Sequence, residues 1–141
     1  MAQNATKLSK SKLLLVASSF PPFITPSAVL VKNIFDKYKG EIKAFGSTAF
    51  SKIDPNFKAP CDVEYINFPN GRIAEAISRR FHHDFLFYYY KRLLKVCEDY
   101  KPDIIFANYP RDVMLVAAYK VSLKLDISLY VYMHDLWYES V

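Results

Sequence analysis

Side chains suited to binding a sugar are concentrated shortly before the last residue of the sequence. The run from 134 to 140 contains an imidazole, two carboxylates and an indole ring, on His134, Asp135, Trp137 and Glu139. Groups of these types hydrogen-bond hydroxyls, and an aromatic ring can stack on the apolar face of a sugar. A lone histidine after a strand is more often structural, so these residue types leave both a catalytic and a structural role open.

Two earlier segments carry further candidate binding residues. Ser18 to Ser27 leads into a helix start, where unpaired N–H groups and the helix dipole attract a phosphate or a polar sugar. Asn108 to Asp112 follows a later apolar run. The first segment has no glycine and the sequence has no G-x-G-x-x-G fingerprint, which argues against an ordinary dinucleotide site. The alternative is that the first segment is only a proline-stiffened connection.

The elements that position these segments follow from the hydrophobic pattern. The uninterrupted apolar run Leu13 to Ala17 is typical of a strand buried on both faces. Thr25 can cap a helix and Pro26 suits its first turn, and this helix should end near Gly40. Its expected core-facing stripe is Leu30, Val31, Ile34, Phe35 and Tyr38. Further strands are predicted over 42–45, 62–68, 103–107 and 127–133. The segment 72–100 is predicted to form one long helix or two, and 111–124 a further helix.

This alternation predicts an α/β fold: a Rossmann-like open parallel sheet of about five strands with helices on both faces. The 141 residues suffice for one core, so we expect a flexible leader over 1–11 and one domain over 12–141. Ligands of such sheets bind beyond the carboxyl ends of the strands, near the point where strand order reverses. The three candidate segments should therefore meet along one rim of the sheet.

Composition narrows the classes of partner. Nineteen Lys and Arg against fourteen Asp and Glu give a net charge of +5, which favours phosphates or phospholipid head groups. Zinc-finger spacing, RNA-binding aromatic signatures and long basic blocks are missing, so nucleic acid is not an expected partner. Cys61 and Cys97 are isolated, which fits a reducing cytosol and suggests no metal site. We expect a cytoplasmic protein that can reach the inner face of the plasma membrane.

A basic and aromatic segment adds a membrane hypothesis. Between residues 79 and 92, Phe and Tyr side chains lie around most of the circumference of a predicted helix, and basic residues lie at both of its ends. An interfacial helix on anionic lipid would use this composition. The residues expected to contact the membrane are Arg79, Arg80, Phe81, Phe87, Lys91 and Arg92. The alternative is a core helix whose extra aromatic residues meet neighbouring loops or another domain.

Three motifs together resemble a known family. Ser-Phe-Pro-Pro at 19–22, Lys-Pro-Asp-Ile-Ile-Phe-Ala-Asn at 101–108 and His-Asp-Leu-Trp-Tyr-Glu-Ser at 134–140 are similar, in order and spacing, to the amino-terminal domain of family 4 retaining glycosyltransferases of the GT-B fold. The resemblance implies that this half binds the acceptor. It also implies that a second Rossmann-like half, absent from this sequence, binds a nucleotide-diphosphate sugar. Where many members have Gly-Gly in the first loop, this sequence has Ile24-Thr25-Pro26-Ser27.

The same resemblance suggests roles for individual residues. His134 matches a family histidine that contacts the donor sugar near the reacting carbon, and it is the catalytic candidate. No metal and no cofactor are implied, and the isolated chain is expected to be inactive. The substrate-binding candidates are Phe20, Pro21, Pro22, Ser27, Asn108, Tyr109, Arg111, Asp135, Trp137 and Glu139.

Three functional hypotheses follow. In the first, the chain is part of a glycosyltransferase for polysaccharide or glycolipid assembly. The second is a non-catalytic binding or assembly module, either one half of a split glycosyltransferase or a domain that docks on a membrane or protein. The third is an unrelated flavodoxin-like ligand binder.

Overall fold

The computed structural model describes residues 11–18, 20–47, 54–66, 82–108 and 112–133. In these ranges strands and helices alternate along the chain, except that β2 is followed directly by β3. The elements are β1 (Leu13–Ala17), α1 (Pro26–Phe35), β2 (Ile42–Ser47), β3 (Asp62–Ile66), α2 (His82–Tyr100), β4 (Ile104–Asn108), α3 (Asp112–Leu125) and β5 (Ser128–Tyr132). The predicted leader 1–11 lies outside the described residues except for Ser11.

The five strands form one parallel sheet in the order β3-β2-β1-β4-β5. The predicted Rossmann-like α/β class is therefore confirmed. From β1 the chain proceeds to β2 on one side, whereas β4 proceeds to β5 on the other, so strand order reverses between β1 and β4. Ala17 pairs with Asn108 at the carboxyl ends of these two strands, and Asn108 pairs with Tyr132 of β5. We call this place the β1–β4 rim.

Alternating side chains divide the core between the two faces of the sheet. Leu14 and Val16 of β1 belong to a core cluster with α2 and α3, and we call that side the α2–α3 face. Leu13 and Leu15 belong to a second cluster with α1, and we call that side the α1 face. Every residue of β1 is at most 4% exposed, as expected for a central strand buried on both faces.

The helix α1 begins as predicted but ends earlier. It ends at Phe35 rather than near Gly40, because Tyr38 leaves the helical path and its hydroxyl donates to the Ser11 carbonyl oxygen at 2.8 Å. A Cβ on Gly40 would lie 2.5 Å from Tyr38 Cε1 and 2.7 Å from the Ser11 oxygen. Gly40 therefore permits this close approach, which is the physical reason for a glycine there.

The buried stripe of α1 also differs in part from the expectation. Val31 and Phe35 are buried as predicted, but Ile34 is 41% exposed and Ala28 takes a core position instead. In α3, by contrast, the apolar residues at helical spacing are buried, with Met114, Ala117, Ala118 and Val121 at most 3% exposed. No helix within the described ranges is long and apolar enough to cross a membrane.

Candidate functional site

The β1–β4 rim contains a buried side-chain amide, on Asn108, whose polar atoms have no partner in the described part of the chain. Asn108, the last residue of β4, is 4% exposed, and neither its Oδ1 nor its Nδ2 has a hydrogen-bond partner among the residues that the structure describes. In β4 it alternates with Ile104 and Phe106, so its side chain lies on the α1 face. Burying an amide without a partner costs free energy, and such a group at a binding crevice is a natural hydrogen-bonding point for a ligand.

An aromatic residue flanks this amide. Tyr132, at the end of β5, pairs with Asn108 in the sheet and stacks on Phe106 with ring centroids 6.3 Å apart. The stacking shows that Tyr132 also lies on the α1 face. The rim thus combines an amide with an aromatic ring, two groups that sugar-binding sites commonly use.

The loop between β1 and α1 is anchored from several directions. The Tyr65 hydroxyl donates to the Pro21 carbonyl oxygen, and the Asp54 N–H donates to the Pro22 carbonyl oxygen at 2.9 Å. The Pro21–Pro22 peptide bond is cis. The Phe23 ring packs edge-on against Tyr65 with centroids 5.7 Å apart. Burial raises the pKa of Tyr65 to about 12, so its hydroxyl keeps the proton that it donates to the loop.

The start of α1 has little to offer a phosphate. Thr25 caps the helix, with its side-chain oxygen accepting from the Ala28 N–H at 3.1 Å, while its carbonyl oxygen accepts from the Val29 N–H at 3.1 Å. Pro26 has no N–H. Pro26 and Ala28 therefore present no free donor at the start of the helix, and the Val29 N–H makes the first intrahelical bond. This arrangement agrees with the absence of glycine from the loop.

The structure describes only part of the predicted site. Pro21 and Asn108 are buried and Pro22 is half-buried near the carboxyl end of β1. Phe20 has no exposed surface and belongs to the α1-face core cluster, so it supports the loop from within, and its contact with a ligand stays a prediction. Outside the described residues lie His134, Tyr109, Arg111, Asp135, Trp137 and Glu139, together with the side chain of Ser27.

Two useful residues were missing from the sequence prediction. Tyr65 looks like an ordinary strand residue, and its partner Pro21 is 44 positions away, so no local pattern reveals the contact. Tyr132 was assigned to a strand without a functional role. That Tyr132 and Asn108 are paired and lie on the same face of the sheet is known only once the register of β4 and β5 is known.

The predicted membrane residues fall into three groups. Phe87 is 58% exposed, and Lys91 Nζ lies 4.5 Å from the centroid of its ring. Arg92 instead contacts β3, where its Nη2 lies 3.0 Å from Glu64 Oε1, so its guanidinium helps to hold α2 against the sheet. Outside the described residues lie Arg79, Arg80 and Phe81.

The two cysteines are free thiols with unreactive surroundings. Burial raises the pKa of Cys61 to about 11 and that of Cys97 to about 12. Both thiols are therefore neutral at physiological pH and poor nucleophiles. Within the described ranges, no three His, Cys, Asp or Glu side chains are grouped so as to hold a metal ion.

Comparisons with known proteins add information on the fold. No protein-family model matches the sequence, and no curated protein sequence matches it either. Among solved structures, the UDP-GlcNAc 2-epimerase of Methanocaldococcus jannaschii is similar over 85% of this chain, with a TM-score of 0.52 and 13% identity. TcCGT1, solved in complex with UDP, is similar over 88% of this chain, with a TM-score of 0.54 and 18% identity.

A third similar structure is the C-terminal domain of a Pyrococcus furiosus hydrogenase, with a TM-score of 0.60 and 8% identity over 86% of this chain. The chain spans 91% of that domain, but only 30% of the epimerase and 28% of TcCGT1. At these identities the likeness is one of fold. The fold matches one Rossmann-like half of GT-B glycosyltransferases and UDP-GlcNAc epimerases.

Proposed function

We propose that this chain is the acceptor-side half of a glycosyltransferase, which transfers a sugar from a nucleotide-diphosphate sugar to a polysaccharide or lipid-linked acceptor. The observation that carries the proposal is the buried Asn108 amide at the β1–β4 rim, which has no hydrogen-bond partner among the residues that the structure describes. An amide offers a carbonyl acceptor and two N–H donors, and a sugar hydroxyl both donates and accepts. A neutral, buried amide therefore suits a polyol better than an anion.

The start of α1 supports the acceptor role over the donor role. A nucleotide diphosphate needs several free N–H groups or cations, and at the start of α1 Pro26 has no N–H and the Ala28 N–H is already used by the Thr25 side chain. The donor diphosphate belongs in this proposal to a second Rossmann-like half, in cis or in trans. The greater length of TcCGT1, of which this chain spans 28%, is compatible with such a division.

The proposal assigns His134 to the donor sugar. Its imidazole orients the sugar and stabilises the oxocarbenium-like charge that develops in the transition state. Asp135 and Glu139 fix the imidazole or bind acceptor hydroxyls, while Trp137, Tyr109 and Arg111 line the acceptor side. The chemistry uses neither metal nor cofactor, and the isolated chain has no turnover.

Amide NMR tests the binding half of this proposal. Titration of the 141-residue chain with glucose, N-acetylglucosamine and their disaccharides should shift the backbone signals of Ala17, Ser18 and Asn108. The change Asn108→Leu should remove this response, whereas Asn33→Leu at an exposed asparagine of α1 should leave it intact. A saccharide response that persists in Asn108→Leu, or its absence from the wild type, would contradict the proposal.

Two further ligands separate the competing hypotheses. UDP should cause smaller shifts at the rim than the saccharides do, because the donor site lies in the second half. Flavin mononucleotide binding without a saccharide response would favour the flavodoxin-like hypothesis. Sugar transfer by the isolated chain from radiolabelled nucleotide sugars would overturn the half-enzyme assignment.

A non-catalytic binding or assembly module is the second candidate. It is favoured by the similarity to the hydrogenase domain, which this chain matches over 91% of that domain's length. A domain of this size and fold therefore occurs in a protein named for a different chemistry. Affinity purification of the tagged chain distinguishes the two hypotheses. Recovery of a donor-binding half supports the glycosyltransferase, whereas recovery of other partners without such a half supports the assembly module.

A further inference from the structure

The outer sides of α2 and α3 each expose large apolar residues. Phe87 and Tyr88 of α2 are 58% and 48% exposed, and Tyr119 and Leu123 of α3 are 53% and 65% exposed. We call these four residues the α2–α3 outer patch. The opposite sides of both helices are buried in the core, so the exposure is not a sign of loose packing.

A groove connects the two helices within this patch. It has a volume of about 480 Å³ and is lined by Leu86, Phe87, Tyr90, Lys120 and Leu123. Isolated apolar residues are ordinary on protein surfaces, but Phe87 of α2 and Leu123 of α3 line one groove together, and exposed apolar residues that adjoin on two neighbouring helices mark an interaction surface. The sequence pattern had indicated only the contribution of α2, and the structure adds that of α3.

The charged residues near the patch indicate what kind of partner it binds. Lys91 and Lys95 on α2 and Lys120 and Lys124 on α3 are exposed, and Lys91 lies over the Phe87 ring. The carboxylates described on the two helices, Glu98 and Asp99, lie seven and eight residues beyond Lys91, or about 10 Å along the axis, but only three and four residues beyond Lys95. Lys91 and Lys120, which border the groove, are therefore the lysines that matter most. Aromatic and leucine anchors bordered by lysines complement an anionic lipid surface, since the rings enter the interface and the ammonium groups meet phosphates.

We propose that the α2–α3 outer patch docks this protein peripherally on an anionic membrane. The patch lies on the side of the sheet opposite to the α1 face, where the Asn108 side chain lies. Docking would therefore leave the β1–β4 rim open to its ligand. The proposal is independent of the glycosyltransferase assignment, because it uses none of the rim residues.

Vesicle co-sedimentation of the full 141-residue chain tests the proposal. The protein should sediment with vesicles of phosphatidylcholine and phosphatidylglycerol at 70:30, and not with phosphatidylcholine alone. Raising the salt concentration to 0.5 M should weaken binding, because the lysine contribution is screened. Equal binding to both kinds of vesicle, or binding to neither, would overturn the proposal.

Paired variants locate the surface. Phe87→Ser with Leu123→Ser should reduce the partition coefficient at least ten-fold, because both anchors lose their apolar contact with the interface. Lys91→Gln with Lys120→Gln should reduce it about 25-fold on anionic vesicles, at roughly five-fold for each lysine. Matched controls on the other side of the sheet are Tyr130→Ser, at a residue 54% exposed, and Lys37→Gln. Each control should change binding less than two-fold.

Folding and self-association are measured on the same samples. Circular dichroism and thermal unfolding should match the wild type in every variant, because all the altered residues are exposed. If folded patch variants bind vesicles as well as the controls do, the patch is not the docking surface. If the wild type forms a dimer that Phe87→Ser with Leu123→Ser dissociates, and does not bind vesicles, the occupant is a second copy and the membrane proposal fails.

Discussion

The two faces of the sheet are covered to different extents. On the α2–α3 face, two helices and the sheet enclose a core cluster of fourteen buried residues in the described part of the chain. On the α1 face, the corresponding cluster has seven, and a cavity of about 380 Å³ lies over β4 and β5, bordered by Ile34, Phe106 and Tyr130 among others. The first face therefore supplies most of the packing, while the second leaves space beside the strands.

This difference explains where a polar group is tolerated. Asn108 is at the end of a strand on the α1 face, which the described residues cover more sparsely. An unsatisfied amide at the centre of the α2–α3 core would have no prospect of a partner and would only destabilise the fold. Among the described residues the α2–α3 face thus contributes most of the buried core, and we expect the α1 face to carry the binding site.

Adjacent isoleucines in β4 give the strongest test of this comparison. Ile105 is completely buried on the α2–α3 face, whereas Ile104 is partly buried and borders the cavity on the α1 face. Ile105→Ala should lower the free energy of unfolding by about 3 to 4 kcal/mol, and Ile104→Ala by about 1 to 2 kcal/mol. Urea unfolding at 25 °C measures both. Equal losses would show that the faces contribute alike.

A substitution at Asn108 should stabilise the protein, whereas the isoleucine substitutions destabilise it. Asn108→Leu should raise the free energy of unfolding by about 1 to 2 kcal/mol, because it removes an unsatisfied amide and adds apolar volume of similar shape. The same variant should lose its NMR response to saccharides. Asn33→Leu, at an exposed position, should change stability by less than about 0.5 kcal/mol. A destabilised Asn108→Leu protein would mean that the amide has a partner after all.

The attachment of α1 can be weakened at its cap. Thr25→Ala should cost about 1 kcal/mol, since the Ala28 N–H loses its acceptor. Thr25→Ser keeps the oxygen and should cost only a few tenths of a kcal/mol. Thermal and urea unfolding measure the pair. Identical stability in the two variants would show that the cap does not contribute to holding α1 on its sparsely covered face.

The dependence of stability on pH gives a further test. Burial raises the pKa of Cys97 to about 12 from the usual 9.0, so above pH 9 the unfolded chain releases its proton first. Stability should therefore be level from pH 6 to 8 and fall as the pH rises from 9 towards 12. Cys97→Ala should flatten this decline more than Cys61→Ala does, since the pKa of Cys61 is about 11. Melting temperatures of the three proteins between pH 7 and 11 measure this decline. A steeper decline in Cys97→Ala than in the wild type would contradict the expectation.

The fold was predictable because its signals are local. The continuous apolar run of β1 and the helical spacing of Met114, Ala117 and Val121 each fall within a few residues, and the structure buries them all. The end of α1 was not predictable in the same way. It depends on a contact between Tyr38 and Ser11, which are 27 positions apart, and on the space that Gly40 leaves for that contact.

For the candidate site, too, the positions of residues were predictable from the sequence but their contacts were not. The topological rule placed Asn108 and the Pro21–Pro22 loop near the carboxyl ends of β4 and β1, and both are found there. The sequence did not reveal that the Asn108 amide has no partner among the described residues, nor that the Thr25 side chain occupies the Ala28 N–H of α1. These properties depend on which neighbours three-dimensional packing brings within hydrogen-bonding distance.

The central position of β1 has a consequence during synthesis. Its neighbour β4 follows much later in the chain, and the Lys12 N–H meets the Asp103 carboxylate across 91 positions. At about 5 to 20 residues per second, the ribosome adds β4 about 5 to 20 s after β1 has been made. Throughout that interval one edge of the most apolar strand has no partner. Nascent chains should therefore be most susceptible to aggregation, and most dependent on chaperones, before β4 emerges.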